Sequence, residues 1–241
     1  MTNSDPPHLS LIVTVLDSHE IVRRQLLHLN GVLTRECELL LIDDGSEPSL
    51  EATCNGVERA YAFRLVPTHD RRPWTQPAAR NLGARLAQAE KLLFFDIDHI
   101  VTADILAACL AYDGDRLFWR RRPGVLDGDG RVVTDRRVLL AHGMRREIVD
   151  VHLNSFLIRR TVFERLGGYD ERFSGQYGGD DHDFNRRYAA LVRRGLARPH
   201  DIRGEGYRYP KTERFPELFH ALPRRSGLRG LFSTARYMIG V

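Results

Sequence analysis

Lysine is almost missing from this sequence: Lys91 and Lys211 are its two lysines among 36 basic residues. Arginine therefore carries nearly all the positive charge behind a net +4 and a pI of about 9.1. Arginine-rich codon usage accounts for that bias. Phosphate recognition does too, because the guanidinium fork pairs two oxygens at once. The arginines are dispersed with acids between them, so no continuous basic tract singles out nucleic acid as the partner. Cysteine is scarce as well. Cys37, Cys54 and Cys109 are odd in number, widely spaced and without a CxxC pair, which argues against a disulfide scaffold or a structural zinc site and points to buried or idle thiols in a reducing compartment. No apolar run reaches the eighteen or so residues of a membrane-spanning helix. The opening MTNSDPPHLS has neither the basic start nor the apolar run of a signal peptide. The expected location is cytoplasmic, or cytoplasmic and peripheral to a membrane. Histidine is not rare, yet none of the ten forms an HxH or HExxH pair.

What is present is an alternation of short apolar runs with helix-like segments, the pattern of a parallel α/β sheet. Leu9–Leu16 is nearly all apolar, as a strand buried on both faces should be. Asp17 and Glu20 then form a capping box ahead of Val22, Leu26, Leu29 and Leu33 at helical spacing. Cys37–Asp43 and Tyr61–Val66 read as the second and third strands. A loop leads to a helix with Pro77 near its first turn, and Lys91–Phe95 is the fourth strand, ending at Asp96. Beyond that the period weakens. Leu117–Trp119 and Val151–Ile158 read as strands, Thr161–Leu166 as a short helix, and about Asp180–Arg194 as a helix that Asp180 caps with Asp183 at its third position. Residues 120–150 give only a turn at Asp127–Gly130, and the tail from Arg198 shows little pattern. Phe215, Phe219 and the closing GLRGLFSTARYMIGV are assigned to the protein's own core, with a membrane or partner subunit as alternatives.

Acidic residues collect where the strands should end, which is where ligands bind in an open parallel sheet. Asp96-Ile97-Asp98 sets two carboxylates at i and i+2 past an apolar strand, suited to one hard cation shared with a diphosphate; a solvated strand-end turn is the plainer alternative. Asp43-Asp44-Gly45-Ser46 offers a carboxylate to a base N–H or a ribose hydroxyl, or else a tight turn with Gly45 at positive φ. Arg80, with Asn81, lies at a helix N-terminus that favours anions. Asp180-Asp181-His182-Asp183 follows a glycine-rich loop. Capping explains its first and last acids but leaves Asp181, well placed as a general base for an acceptor hydroxyl. His99 and His200 are candidates for a third metal ligand, and His182 for contact with the acceptor.

In combination these segments resemble the family 2 glycosyltransferases and their GT-A-fold relatives. The resemblance runs from about Leu9 to Arg194 through LSLIVTVL, LLLIDDGS, PAARNLGA, LLFFDIDH, NSFLIRRTVFERLGGYDERF and GQYGGDDHDFNRRY. The stretch from GGYDERF to GGDDHDF is similar to the acceptor-side motif of the animal galactosyltransferases. The resemblance implies a mostly parallel, Rossmann-like central sheet with helices on both faces, in one domain over 1–241. Residues 9–100 would form the nucleotide-sugar-binding half, 101–195 the acceptor-binding half and 196–241 a tail. It implies that Thr14, Leu16, Asp43 and Asp44 hold the nucleoside, with Asp44 on the base. Arg80 approaches the diphosphate, Asp96 meets ribose or metal, and Asp98 binds Mn2+ or Mg2+, His200 being the further ligand considered. Asp181 is then the base of an inverting transfer from a nucleoside-diphosphate sugar, UDP favoured. Gly179, Asp180 and His182 border a carbohydrate or other hydroxyl-bearing acceptor, and a nucleic-acid acceptor stays compatible with the charge. The first strand departs from the family pattern, with Thr14 and Leu16 where proline and an aromatic are frequent, and Asp180 stands where glutamate is frequent.

Two other classes are weighed against this. A haloacid dehalogenase-type phosphatase also has a DxD after an apolar strand. Here, however, three strand–helix units precede the DxD and no lysine lies between Asp98 and Asp180. An arginine-rich nucleic-acid-binding module explains the charge but not three acid clusters on one sheet edge, which would repel phosphate.

Overall fold

The structure is a computed structural model that describes residues 6–70, 72, 74–175 and 178–210. Its first half builds as the alternation predicts. Strand β1 (Leu9–Val15) leads to helix α1 (His19–Asn30), β2 (Cys37–Asp43), a short α2 (Glu51–Asn55) and β3 (Ala62–Pro67). Helix α3 (Gln76–Leu86), with proline in its first turn, and β4 (Lys91–Asp96) follow. The second half adds β5 (His99–Ile100), α4 (Ala103–Ala111), β6 (Arg116–Pro123), β7 (Val125–Leu126), β8 (Val132–Val133), α5 (Arg136–Ala141), β9 (Asp150–Val151), β10 (Phe156–Arg159), α6 (Arg160–Arg165), α7 (Asp180–Arg193) and β11 (Asp201–Arg208).

Among the described residues the main sheet has nine strands in the order β3-β2-β1-β4-β10-β6-β11-β5, with β9 pairing β6. Strands β1 to β4 are mutually parallel, and β11 runs parallel to β6. Strand β10 enters antiparallel between β4 and β6. The register sets Val15 beside Asp43 and Thr14 beside Asp96, so the carboxyl ends of β1, β2 and β4 form one edge. All seven residues of both β1 and β2 are buried, which explains their continuous apolar runs: each face of the sheet is covered. One layer is built around Val22, Leu26, Leu93, Ile105 and Trp119, and the opposite one around Ala79, Phe94, Phe156, Phe163 and Phe184.

Several expectations change. The capping box at Asp17 and Glu20 does not form. Ser18 precedes α1 in a left-handed conformation without a side-chain cap, and Glu20 pairs with Arg23 and Arg24 instead. Val151–Ile158 is not one strand: β9 and β10 are separated by a turn that carries His152 and Asn154. Asp180 is not the cap of α7. Gly179 holds that place at φ 95°, and Asp180 is the first helical residue. The expected turn at Asp127–Gly130 joins β7 to β8, with Asp127 N–H donating to the Arg131 carbonyl. The patternless tail contains β11. No helix among the described residues is long and apolar enough to cross a membrane. Phe215, Phe219 and the closing segment lie outside the described residues.

Candidate functional site

The DDGS turn stands at the carboxyl end of β2, where the sequence placed a nucleoside contact. Asp44 N–H donates to the Val15 carbonyl at 2.7 Å, which ties the ends of β1 and β2 together. Asp43 Oδ1 accepts from Ser46 N–H at 2.8 Å, and Gly45 takes φ 100°, so Asp43 organises the turn itself. Asp44 reaches across to the start of α3. Its Oδ2 accepts from Thr75 N–H at 3.0 Å and its Oδ1 from the Thr75 hydroxyl. Burial pushes its carboxyl up to about 6, although the Thr75 donors pull the other way. Thr14 and Asp96 share the Gln76 amide, which donates to Thr14 Oγ1 at 3.3 Å and Asp96 Oδ1 at 3.1 Å. Leu16, half-buried, follows the strand, its carbonyl accepting from the Ser18 hydroxyl.

Arg80 sits one helical turn into α3. Its side chain is 2% exposed, and Nη2 donates to Asp96 Oδ1 at 2.6 Å. Nη1 donates to Asn154 Oδ1 at 3.0 Å and lies 3.6 Å from Asp180 Oδ2, while the guanidinium stacks 5.0 Å from the Tyr169 ring centroid. The sequence suggested an arginine open to diphosphate. The structure shows a buried strut between the acid at the end of β4 and the acid at the start of α7. Burial raises the carboxyls of both Asp96 and Asp180, and the Arg80 charge opposes that rise.

Next to Arg80, Asn81 clamps the loop that leads to α7. Its Oδ1 accepts from Tyr169 N–H at 2.8 Å, and its amide donates to the Tyr169 carbonyl at 2.9 Å. Gly168 must be glycine for this clamp: its φ is 69°, and a Cβ there would lie 2.5 Å from Asn81 Oδ1. The clamped loop leads to Gly179 and α7, whose first turn carries Asp180, Asp181 and Asp183. Asp180 is buried, Asp181 half-buried and His182 exposed. Asp183 pairs with Arg186 and Arg187 on its own helix. Of the four, Asp181 combines partial exposure with a place beside the buried pair.

The metal-binding expectation is redistributed. Asp96, His99 and His152 each present a ligand atom within 4.8 Å of the others. Asp98 stands beside this trio: Oδ1 is 3.6 Å from His99 Nε2, and Oδ2 accepts from Arg208 Nε at 2.9 Å. His200 does not join it. It precedes the first residue of β11, with its ring edge-on to Phe118 at 5.1 Å, whereas Arg208 ends the same strand beside His99. Eight strand residues at about 3.3 Å each separate the two positions. His99 is fully buried and bonded on both ring nitrogens, Nδ1 to Ser155 Oγ and Nε2 accepting from Arg121 Nη1 at 2.6 Å. Burial and the neighbouring cations hold its pKa well below the usual range, so it stays neutral. Arg121 continues to Asp150 Oδ1 at 2.6 Å. His152 Nδ1 lies 3.6 Å from Asp96 Oδ2. One carboxylate and two imidazoles make a mixed oxygen and nitrogen donor set, of a kind that divalent metal ions take.

Arg121, His152, Asn154 and Arg208 escaped the sequence reading. His152 and Asn154 were hidden inside a presumed strand. Arg208 lay in a segment without apolar alternation, and only the isolated aromatics Tyr207 and Tyr209 marked a strand there.

Residues 10–113 match the family model described as Glycosyltransferase like family 2. No curated protein matches the chain. Among solved structures, S. aureus TarS 1-349 is 18% identical with a TM-score of 0.60, covering 83% of this chain and 60% of that one. The same protein in complex with UDP-GlcNAc is 16% identical with a TM-score of 0.63, covering 84% of this chain and 58% of that one. The mannosyltransferase PcManGT from Pyrobaculum calidifontis, in complex with GDP-Man and Mn2+, is 18% identical with a TM-score of 0.58, covering 87% and 59%. The chain thus spans about three fifths of the length of these structures. Residues 10–113 are thus similar to glycosyltransferase like family 2, and the fold that carries them is of the GT-A type.

Proposed function

We propose that this protein transfers a sugar from a nucleoside-diphosphate donor, UDP-sugar in the first instance, to an acceptor hydroxyl with inversion at the anomeric carbon. The observation that carries the reading is the Asp96–Arg80–Asp180 bridge, with Asn154 on the same guanidinium, at the carboxyl edge of a family 2-like sheet. It joins the expected donor side to the expected acceptor side through one buried cation.

Asp44, with Thr14 and Leu16 beside it, lines the nucleoside end. Asp43 keeps the turn in shape. Asp96, Asp98 and His152 are the residues that would hold Mn2+, and a bound cation there would neutralise charge building on the departing diphosphate. Asp181 takes the proton of the acceptor hydroxyl as its oxygen attacks the anomeric carbon and the bond from that carbon to the diphosphate breaks. Asp180, held by Arg80, fixes the first turn of α7 and so the place of Asp181. Gly179 gives that turn its entry angle, and His182 faces the acceptor, a carbohydrate or another hydroxyl-bearing molecule. UDP-GlcNAc and GDP-Man in the complexes of the similar structures support a nucleotide-sugar donor, and Mn2+ in one of them supports the metal. We place the activity in the cytoplasm, where peripheral contact with a membrane surface is compatible with it.

The test is nucleoside diphosphate release from panels of UDP- and GDP-sugars, with Mn2+ and mixed hydroxyl acceptors. Release from one donor, abolished in Asp181→Asn, is expected. No release from any donor by folded, metal-supplied protein would contradict the proposal.

A further inference from the structure

Three arginines stand against the carboxylates of this edge, and their surroundings differ. The side chains of Arg80 and Arg121 are 2% and 1% exposed, bonded to Asp96 and Asp150 respectively. That of Arg208 is 20% exposed, and its partner Asp98 is 16% exposed. The Arg208 backbone is anchored: its carbonyl accepts from Gly124 N–H at 3.0 Å, and it pairs with Pro123 and His99 in the sheet. What can move is the side chain. Of the three, Arg208 is therefore the one whose guanidinium a ligand's oxygens can reach, and a guanidinium fork pairs two diphosphate oxygens as it does a carboxylate. Arg208 also holds an oxygen of Asp98, the residue that a cation would need.

We infer that Arg208 is the diphosphate-binding arginine of the donor site and serves two partners in turn, a reading that rests on the proposed transferase function. It holds Asp98 until a metal–nucleotide pair arrives, then releases that carboxylate and turns to the diphosphate oxygens. Two consequences follow from the one guanidinium. Metal alone competes with Arg208 for Asp98 and binds weakly. Metal together with nucleotide binds strongly, because the displaced guanidinium gains the diphosphate.

The experiment compares wild type with Arg208→Gln and Arg208→Lys in two titrations. Mn2+ alone is followed by the paramagnetic resonance of the free ion, and UDP or GDP in saturating Mn2+ by calorimetry. Arg208→Gln should bind Mn2+ alone about tenfold more tightly and the nucleotide about 10- to 100-fold more weakly, as the loss of a charge-assisted hydrogen bond implies. Arg208→Lys should keep the wild-type response to Mn2+ alone and lose several-fold in nucleotide affinity, since an ammonium is not a fork. Unchanged Mn2+ affinity in folded Arg208→Gln would overturn the inference, as would both affinities falling together, the mark of a merely structural residue. If Arg208→Gln does not fold, wild-type nucleotide affinity in Arg208→Lys overturns it. Wild type that binds no nucleotide with Mn2+ refutes the transferase reading and this inference with it.

Discussion

Replacing Arg80 by methionine keeps most of the stem's bulk and removes the guanidinium from a site with almost no solvent. What is lost is a 2.6 Å bond to Asp96, a 3.0 Å bond to Asn154, the proximity to Asp180 at 3.6 Å and a stack on Tyr169 at 5.0 Å. A charge-assisted hydrogen bond contributes about 1.5–3 kcal/mol. Breaking a buried pair from one side costs about 3–5 kcal/mol, because the abandoned charge stays behind. The expected destabilisation at pH 7.5 is therefore about 4 kcal/mol. The pH dependence distinguishes this account from a simple packing defect. Burial already raises the carboxyls of Asp96 and Asp180, and Arg80 restrains both. Without it the folded variant holds protons that the unfolded chain releases at its ordinary carboxyl range. A raised folded pKa gives stability that is full below the unfolded value and lost as pH rises through the folded one. The penalty should thus shrink toward roughly half near pH 5, where protonation removes the unpaired charge. Urea unfolding of wild type and variant at both pH values measures it. Adding Asp96→Asn to Arg80→Met should recover part of the loss at pH 7.5. Equal penalties at both pH values, with no recovery in the double variant, would refute the electrostatic reasoning.

Other consequences are simpler to state. Asp181→Asn should lower turnover by about 10²–10⁴-fold with nucleotide affinity intact, measured by product formation and calorimetry side by side. Nucleotide affinity should fall as pH drops below about 6, where Asp44 takes up its proton; one proton implies roughly tenfold per pH unit, and Asp44→Asn should flatten that arm of the profile. Gly168→Ala should cost about 1–3 kcal/mol in chemical denaturation. It forces a Cβ against Asn81 Oδ1 at 2.5 Å from a φ of 69°, and a cost near zero would mean that the clamp yields freely.

The parallel half of the fold was readable because β1, β2 and β4 are buried on both faces and α1 and α3 on one, so burial wrote its period into the residues. The acids at the ends of β2 and β4 were readable for a related reason: each closes or follows such a strand directly. Helix α4 was not, since Ala103–Ala111 is apolar almost throughout and offers no polar stripe against which a 3.6-residue period would stand out. Strand β11 escaped for the opposite cause. Its partner β5 covers only Tyr207 and Arg208, leaving five residues at its start exposed. An exposed strand needs no apolar alternation. The cluster of His99, Arg121, Asp150 and Ser155 is assembled from four separate segments, and no local spacing announces it. His200 was nominated by residue type, and the direction of β11 carries it to the far end of the sheet from Asp98. The surroundings of Arg80 were hidden for a similar reason. Its place at a helix start was legible, but the two acids that enclose it come from β4 and α7.

The most direct test of a metal-assisted donor site is a calorimetric titration of UDP and GDP, each with Mn2+ and with chelator, on wild type and Asp98→Ala. The account predicts that one nucleotide binds wild type only with Mn2+ and that Asp98→Ala abolishes the binding. Folded wild type that binds neither nucleotide in the presence of Mn2+ would contradict it.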